Sequence, residues 1–113
     1  MAVNWKQLTS TTEVDELIQL SHQKPQLIFK HSTRCGVSSH MKMQFETEWN
    51  GADESIDIYY LDLLNYRDVS NYVAKVSKVY HQSPQVILFK DGEAVANASH
   101  QAIKANAINA ALV

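Results

Sequence analysis

Apolar and polar residues recur along this chain with two periods, and the changes of period mark the element boundaries. Trp5 to Leu8 reads as a short extended stretch, and Thr9-Ser10-Thr11-Thr12 then offers several helix caps. Thr12 followed by Glu13, Asp15 and Glu16 suits a helix start, because acids complement the positive end of the helix dipole, and Val14, Leu17, Ile18 and Ser21 form one face. Beyond Pro25, Leu27-Ile28-Phe29 is a continuous apolar run too short for a helix, as expected of a strand covered on both sides. From Gly36, the residues Val37, Met41, Phe45 and Trp49 fall on one helical stripe that Asn50-Gly51 would stop. Ile56, Ile58 and Tyr60 alternate as a strand closed by Leu61-Asp62. Val69, Tyr72, Val73, Val76 and Tyr80 return to helical spacing and predict a helix from about Arg67 to Tyr80.

The next stretch, Gln85 to Ala96, contains two strand-like runs around Asp91-Gly92, a strong hairpin signal because both turn residues tolerate positive φ. Pro84 cannot donate to a ladder and so belongs at the first residue of its strand. Ser99 is placed to cap a last helix whose apolar face is Ile103, Ala107, Ile108, Ala111 and Leu112. The resulting order is strand, helix, strand, helix, strand, helix, hairpin, helix. Strand-helix-strand units imply parallel pairing through right-handed crossovers and the hairpin adds an antiparallel pair, so the expected architecture is α/β, a mixed central sheet with helices on both faces. No repeat or linker interrupts it, and one domain over residues 1–113 is the expectation.

Composition narrows the functional classes. With 113 residues and 45% hydrophobic content the chain can bury a core without disulfides. A net charge of -2 and a pI near 6.2 give no electrostatic reason to expect nucleic acid or an anionic membrane as partner. The start, Met1-Ala2-Val3-Asn4-Trp5-Lys6, has no leader pattern, no apolar run reaches spanning length, and the lone cysteine makes no internal disulfide, so a reducing, cytoplasmic setting is expected. The five histidines lack metal-ligand spacing, and no metal is expected.

That cysteine, Cys35, ends the run Phe29-Lys30-His31-Ser32-Thr33-Arg34 and opens the helix at Gly36. The first helical turn leaves N–H groups unpartnered and carries roughly half a positive charge, so a thiolate is stabilised there. Arg34 beside it, Gly36 at the first helical position and Ser38 three residues on are the candidates for stabilising that thiolate, Ser38 either by donating to it or only by capping the helix. Ser83 and Pro84, with His31 and His100, are the candidates for contact with substrate; His100 could carry a proton, and for both histidines a structural role is the alternative.

Strand, cysteine at the helix start and a proline before the penultimate strand resemble the thioredoxin fold, which implies a cis Pro84 lying against Cys35 and a Ser83 backbone open to an extended substrate, the alternative being a trans proline that only starts an edge strand. Cys35-Gly36-Val37-Ser38 has a hydroxyl where thioredoxins carry a second thiol. Together with Phe29-Lys30-His31-Ser32-Thr33, Tyr59-Tyr60-Leu61-Asp62, Arg67, His81-Gln82-Ser83-Pro84-Gln85 and Ala98-Ser99-His100, it resembles the monothiol bacilliredoxins, the YtxJ-type proteins of the bacillithiol system. That resemblance implies a thiol-disulfide oxidoreductase that removes bacillithiol from mixed disulfides on client proteins through Cys35, with bacillithiol as co-substrate thiol, whose acidic end would pair with Arg34 unless that residue is only a solvated loop charge. The family commonly has proline where this chain has Gly36. Cys-Gly-Val-Ser is also similar to the Cys-Gly-Phe-Ser of monothiol glutaredoxins, which carry iron-sulfur clusters, although the Gly-Gly turn of that family is replaced here by Ala98-Ser99-His100. A cluster carrier and a non-catalytic thioredoxin-fold adaptor are therefore the alternatives.

Overall fold

The computed structural model describes residues 3–49 and 55–111. In chain order its elements are β1 (Trp5–Gln7), α1 (Thr11–Leu20), β2 (Gln26–His31), α2 (Gly36–Glu48), β3 (Asp57–Asp62), α3 (Arg67–Ser77), β4 (Gln85–Lys90), β5 (Glu93–Ser99), a single 3-10 turn (His100–Ala102) and α4 (Ala105–Ala111). The sheet order is β1-β3-β2-β4-β5, with β1, β3 and β2 parallel and β4 and β5 antiparallel to their neighbours.

Strand alternation sorts the core into two layers. Leu27 and Phe29 of β2, with Val86 and Leu88 of β4, pack with Met41, Phe45 and Trp49 of α2 and Ile103 and Ile108 of the C-terminal segment. Ile28, Ile87 and Phe89 face the other way, onto Val14 and Leu17 of α1 and Val69 and Val73 of α3. Every residue of β2 is buried, which requires both faces to be covered. Phe45 fixes α2 on the sheet through ring contacts of 5.6 Å to Phe29, 5.5 Å to Trp49 and 6.0 Å to Trp5. Fully burying one such ring contributes about 1.5–3 kcal/mol.

Several boundaries differ from those read off the chain. Ser10, not Thr12, caps α1, its hydroxyl accepting from the Glu13 N–H at 3.2 Å. Strand β2 runs on through Lys30 and His31, because partners on both faces hydrogen-bond their polar ends. Helix α3 stops at Ser77, where Lys78 takes a left-handed φ of 60°, and leaves Tyr80 exposed. Ser99 caps no helix by its side chain: it is the last residue of β5, and the 3-10 turn intervenes before α4. Val37 lies on the solvent side of α2 rather than in the stripe. The Ala111 side chain, Leu112 and the Asn50-Gly51 stop lie outside what is described.

The Asp91-Gly92 hairpin is present, with φ of 55° and 84°. Ser21 ties it to the end of α1, its backbone oxygen accepting from the Asp91 N–H and its hydroxyl from the Gly92 N–H, both at 2.8 Å. A side chain on Gly92 would be strained by that φ and would meet the His22 ring at 2.7 Å. Among the described residues no helix is long and apolar enough to cross a membrane.

Candidate active site at the end of the central strand

Strand pairing gathers the site. Lys30, near the end of β2, pairs with Gln85 at the start of β4, and Gln85 pairs in turn with Ser99 at the end of β5. His31 pairs with Asp62, the last residue of β3. The loop Ser32–Cys35, the Ser83-Pro84 segment, the His100 turn and the residues leading into α3 therefore all emerge at one end of the sheet. In parallel α/β sheets the carboxyl ends of strands are where ligands bind, because helices start there and present their free N–H groups.

Cys35 is the N-cap of α2, half-buried, with φ -107° and ψ 118°. Its N–H donates to the Ser32 carbonyl at 3.2 Å and its own carbonyl accepts from the Ser39 N–H at 3.1 Å. Its sulfur makes no capping bond. Among the described residues nothing accepts from the N–H groups of Gly36, Val37 or Ser38, which are the orphan donors of a first turn.

Ser38, expected as a donor to the sulfur or as a cap, makes neither contact. Its hydroxyl is fully buried, accepts from the Ser32 N–H at 3.1 Å and lies 2.8 Å from His31 Nδ1. With Nδ1 unprotonated it donates to the ring, and its hydrogen-bonding capacity is then committed to holding the loop against the first turn of α2. His31 is buried on the α2 face with its ring 5.5 Å from that of Tyr60. Burial, reinforced by the Lys42 charge, holds its pKa below the usual histidine value and favours the neutral ring. Lys42 sits over the Trp5 and Tyr60 rings, 5.0 and 5.4 Å from their centroids, and pairs with Glu46 at 2.9 Å.

Arg34 is exposed. The Ser83-Pro84 peptide is cis, and the Pro84 carbonyl accepts from the His100 N–H at 3.0 Å, which ties the two segments together. The His100 side chain is exposed, on a backbone with φ 53°. Ser83 Oγ is buried without a protein partner, and among the described residues its main-chain N–H and carbonyl are unpaired as well.

Two residues of this region were not singled out as site residues from the sequence. Lys30 is fully buried on the α3 face, its Nζ donating to the Ser70 carbonyl and approaching His81 Nδ1, each at 3.2 Å. Burial lowers its pKa from 10.5 to about 8. Burial, together with the Lys30 and Arg67 charges, also holds His81 below the usual histidine value. A lysine inside the central strand was the available signal for the first. Arg67, the second, opens α3 and lines a cleft with Arg34, Thr33, Leu64 and Asn65. The sequence marks it only as part of the family pattern, and its place beside Arg34 is set by the fold.

Gly36 occupies the first helical position with an open surface, since a Cβ built there meets nothing within 4 Å. Cys35 already has the extended backbone that a following proline requires, and no hydrogen bond of the Gly36 N–H would be lost. Gly36→Pro is therefore expected to raise stability by about 0.4–1 kcal/mol by restricting the unfolded chain. A higher urea midpoint at unchanged slope would show it; a lower midpoint would mean that this turn needs glycine's freedom.

Among the described residues no three His, Cys, Asp or Glu side chains form a group able to hold a metal. Comparison with solved structures gives the fold directly. A protein described as a candidate oxidoreductase with a thioredoxin fold is 32% identical, with a TM-score of 0.79 over 97% of this chain and 92% of the other. The thioredoxin Mala s 13 of Malassezia sympodialis matches at 18% identity and a TM-score of 0.71 over 97% and 89%, and mitochondrial thioredoxin 3 of Saccharomyces cerevisiae at 22% and 0.69 over 96% and 92%. The architecture is thus thioredoxin-like, α/β with a mixed five-stranded sheet. The family described as monothiol bacilliredoxin BrxC matches residues 6–108, and a single cysteine at the start of α2 is the monothiol arrangement. This chain belongs to the monothiol bacilliredoxin family, whose members are thiol-disulfide oxidoreductases of thioredoxin fold.

Proposed function

We propose that the protein removes bacillithiol from mixed disulfides on client proteins by exchange at Cys35. The observation that carries this reading is the lone, half-exposed cysteine at the N-cap of α2, whose first-turn N–H groups have no partner among the described residues, in a chain of this family. The Cys35 thiolate attacks the bacillithiol sulfur of the mixed disulfide. That sulfur-sulfur bond breaks, the client leaves as a thiolate that takes up a proton, and a new disulfide joins bacillithiol to Cys35. A second bacillithiol thiolate then attacks the sulfur of the bound one, forming bacillithiol disulfide and returning Cys35 as thiolate. Electrons balance with no metal or further cofactor.

The roles follow from position. The Gly36 N–H and the Arg34 charge stabilise the thiolate as nucleophile and as leaving group. Ser38 and His31 act through the loop they hold and are positioning residues. The unpaired Ser83 backbone beside Pro84 is suited to strand-like pairing with an extended client segment, and the exposed His100 flanks it. Such chemistry belongs to a reducing compartment, consistent with a cytoplasmic protein. The family match is to bacilliredoxins, so neither a cluster carrier nor an inert adaptor is favoured.

Intact mass spectrometry of the reduced protein after separate incubation with bacillithiol disulfide and glutathione disulfide tests the reading. The expected result is rapid gain of one bacillithiol, at Cys35, and little gain of glutathione. Absence of either adduct would rule out exchange, and equal uptake of both would remove the bacillithiol assignment.

A further inference from the structure

The loop before Cys35 and the loop before α3 enclose an open cleft of about 360 Å³ lined by Thr33, Arg34, Leu64, Asn65 and Arg67. Its two guanidiniums have no carboxylate within ion-pair distance among the described residues. Asp62, the last residue of the strand that leads into this loop, is already engaged: one oxygen accepts from the Leu64 N–H at 3.3 Å and the other from the Asn65 side-chain amide at 2.8 Å, and Asp68, next to Arg67 in the first turn of α3, makes no ion pair among the described residues. The cleft also lies where α3 begins, and neither α2 nor α3 has a side-chain cap, so two positive helix ends point to the same region. Two arginines without a carboxylate partner among the described residues, one of them the residue before Cys35, form a receptor for an anion that arrives with the sulfur's partner. Planar guanidiniums favour carboxylate, which they bind through paired N–H donors.

We infer that this cleft holds the carboxylates of the small thiol at its end remote from sulfur, with Arg67 as a specificity residue. The inference rests on the proposed exchange with bacillithiol, whose acidic end is a malate, a dicarboxylate. Glutathione also carries carboxylates, but spaced along a peptide rather than paired on one short unit, so the cleft selects by the placement of charge. Arg67 acts on binding only, since it flanks the α3 loop and not the sulfur's own helix.

The test uses two protein-free disulfides, bacillithiol disulfide and the neutral bis(2-hydroxyethyl) disulfide, so that carboxylates of a client play no part. Second-order rate constants for modification of Cys35 are measured for the wild type, Arg67→Gln and Arg67→Lys, with the urea midpoint of each variant confirming the fold. The expected result is that the ratio of the bacillithiol rate to the neutral rate falls about tenfold in Arg67→Gln, since it loses a charge-assisted hydrogen bond in a solvated site. Arg67→Lys recovers part of it, and added salt shrinks the wild-type ratio. A wild type that prefers bacillithiol while Arg67→Gln keeps the same ratio, or slows with both probes in parallel, overturns the cleft and leaves the exchange reading standing. A wild type that shows no preference for bacillithiol disulfide also overturns the cleft, and one whose Cys35 bacillithiol disulfide does not modify overturns both.

Discussion

Cys35→Ala is expected to abolish release of bacillithiol from a client protein, lowering the rate by on the order of a thousandfold or more, to the uncatalysed background. The chain has no other cysteine to take over. Cys35→Ser should be equally inactive, because a hydroxyl neither ionises near neutral pH nor forms a stable bond to sulfur. The loss should come without unfolding: the Cys35 side chain is half-exposed and makes no hydrogen bond, so stability should change by no more than about 0.5 kcal/mol. The wild type carries a sharper expectation. Without free thiol it should release one equivalent of reduced client per Cys35 and then stop, held as the mixed disulfide, and added bacillithiol should restart it. Rapid-quench measurement of the client thiol separates the phases. Continued turnover without added thiol would be incompatible with a monothiol cycle, and activity in Cys35→Ala would move the chemistry elsewhere.

The second large effect concerns the buried Lys30. Its ammonium is fully enclosed between β2 and α3 with, among the described residues, the Ser70 carbonyl and His81 Nδ1 as its partners, and its pKa falls from 10.5 to about 8. Below pH 8 both folded and unfolded chains hold the proton, and the cost of burying the charge is constant. Between about pH 8 and 10.5 the unfolded chain still holds a proton that the folded chain has released, so stability rises with pH across that window. The full gain is about 3 kcal/mol. Tyr59, whose pKa burial pushes up to about 12, works in the opposite sense: above pH 10 the unfolded phenol ionises first and stability falls. Urea midpoints should therefore climb from pH 8 to a maximum near pH 10. Lys30→Met should erase the climb while changing stability at pH 7.5 by no more than about 1–2 kcal/mol, since removal of a buried charge offsets the loss of its two partners. A wild-type midpoint flat over this range, or a climb that persists in Lys30→Met, would contradict the placement of this charge.

The chain's own pattern was sufficient for the order of elements, the parallel and antiparallel pairing, most of the buried positions of α1, α2 and α3, and the position of Cys35 at a helix start, but it also put Val37, Tyr80 and Ala107 on apolar faces where the structure leaves them exposed. Each of these is local or periodic. Short apolar runs mark strands covered on both faces, Asp91-Gly92 marks a turn by its backbone freedom, and the change of period at Gly36 marks the boundary that the thiol occupies.

What the pattern could not supply depends on groups distant in sequence. Lys30 and His31 read as the polar end of a strand until Ser70 and His81 on one face and Ser38 on the other are seen to hydrogen-bond them inside the core. Ser38 read as a neighbour of the thiol by its place in the motif, but the fold of the preceding loop brings the Ser32 N–H and His31 ring to its hydroxyl first. Ser99 has the chemistry of a cap, yet pairing with Gln85 keeps it in β5. The cleft between Arg34 and Arg67 exists only because His31 and Asp62 are paired in register, which sets two loops side by side. The sequence thus determined where a reactive thiol would stand; which polar groups surround it, and which of their hydrogen bonds are already committed, was decided by the tertiary structure, because a side chain's partners are set by register and packing rather than by spacing along the chain.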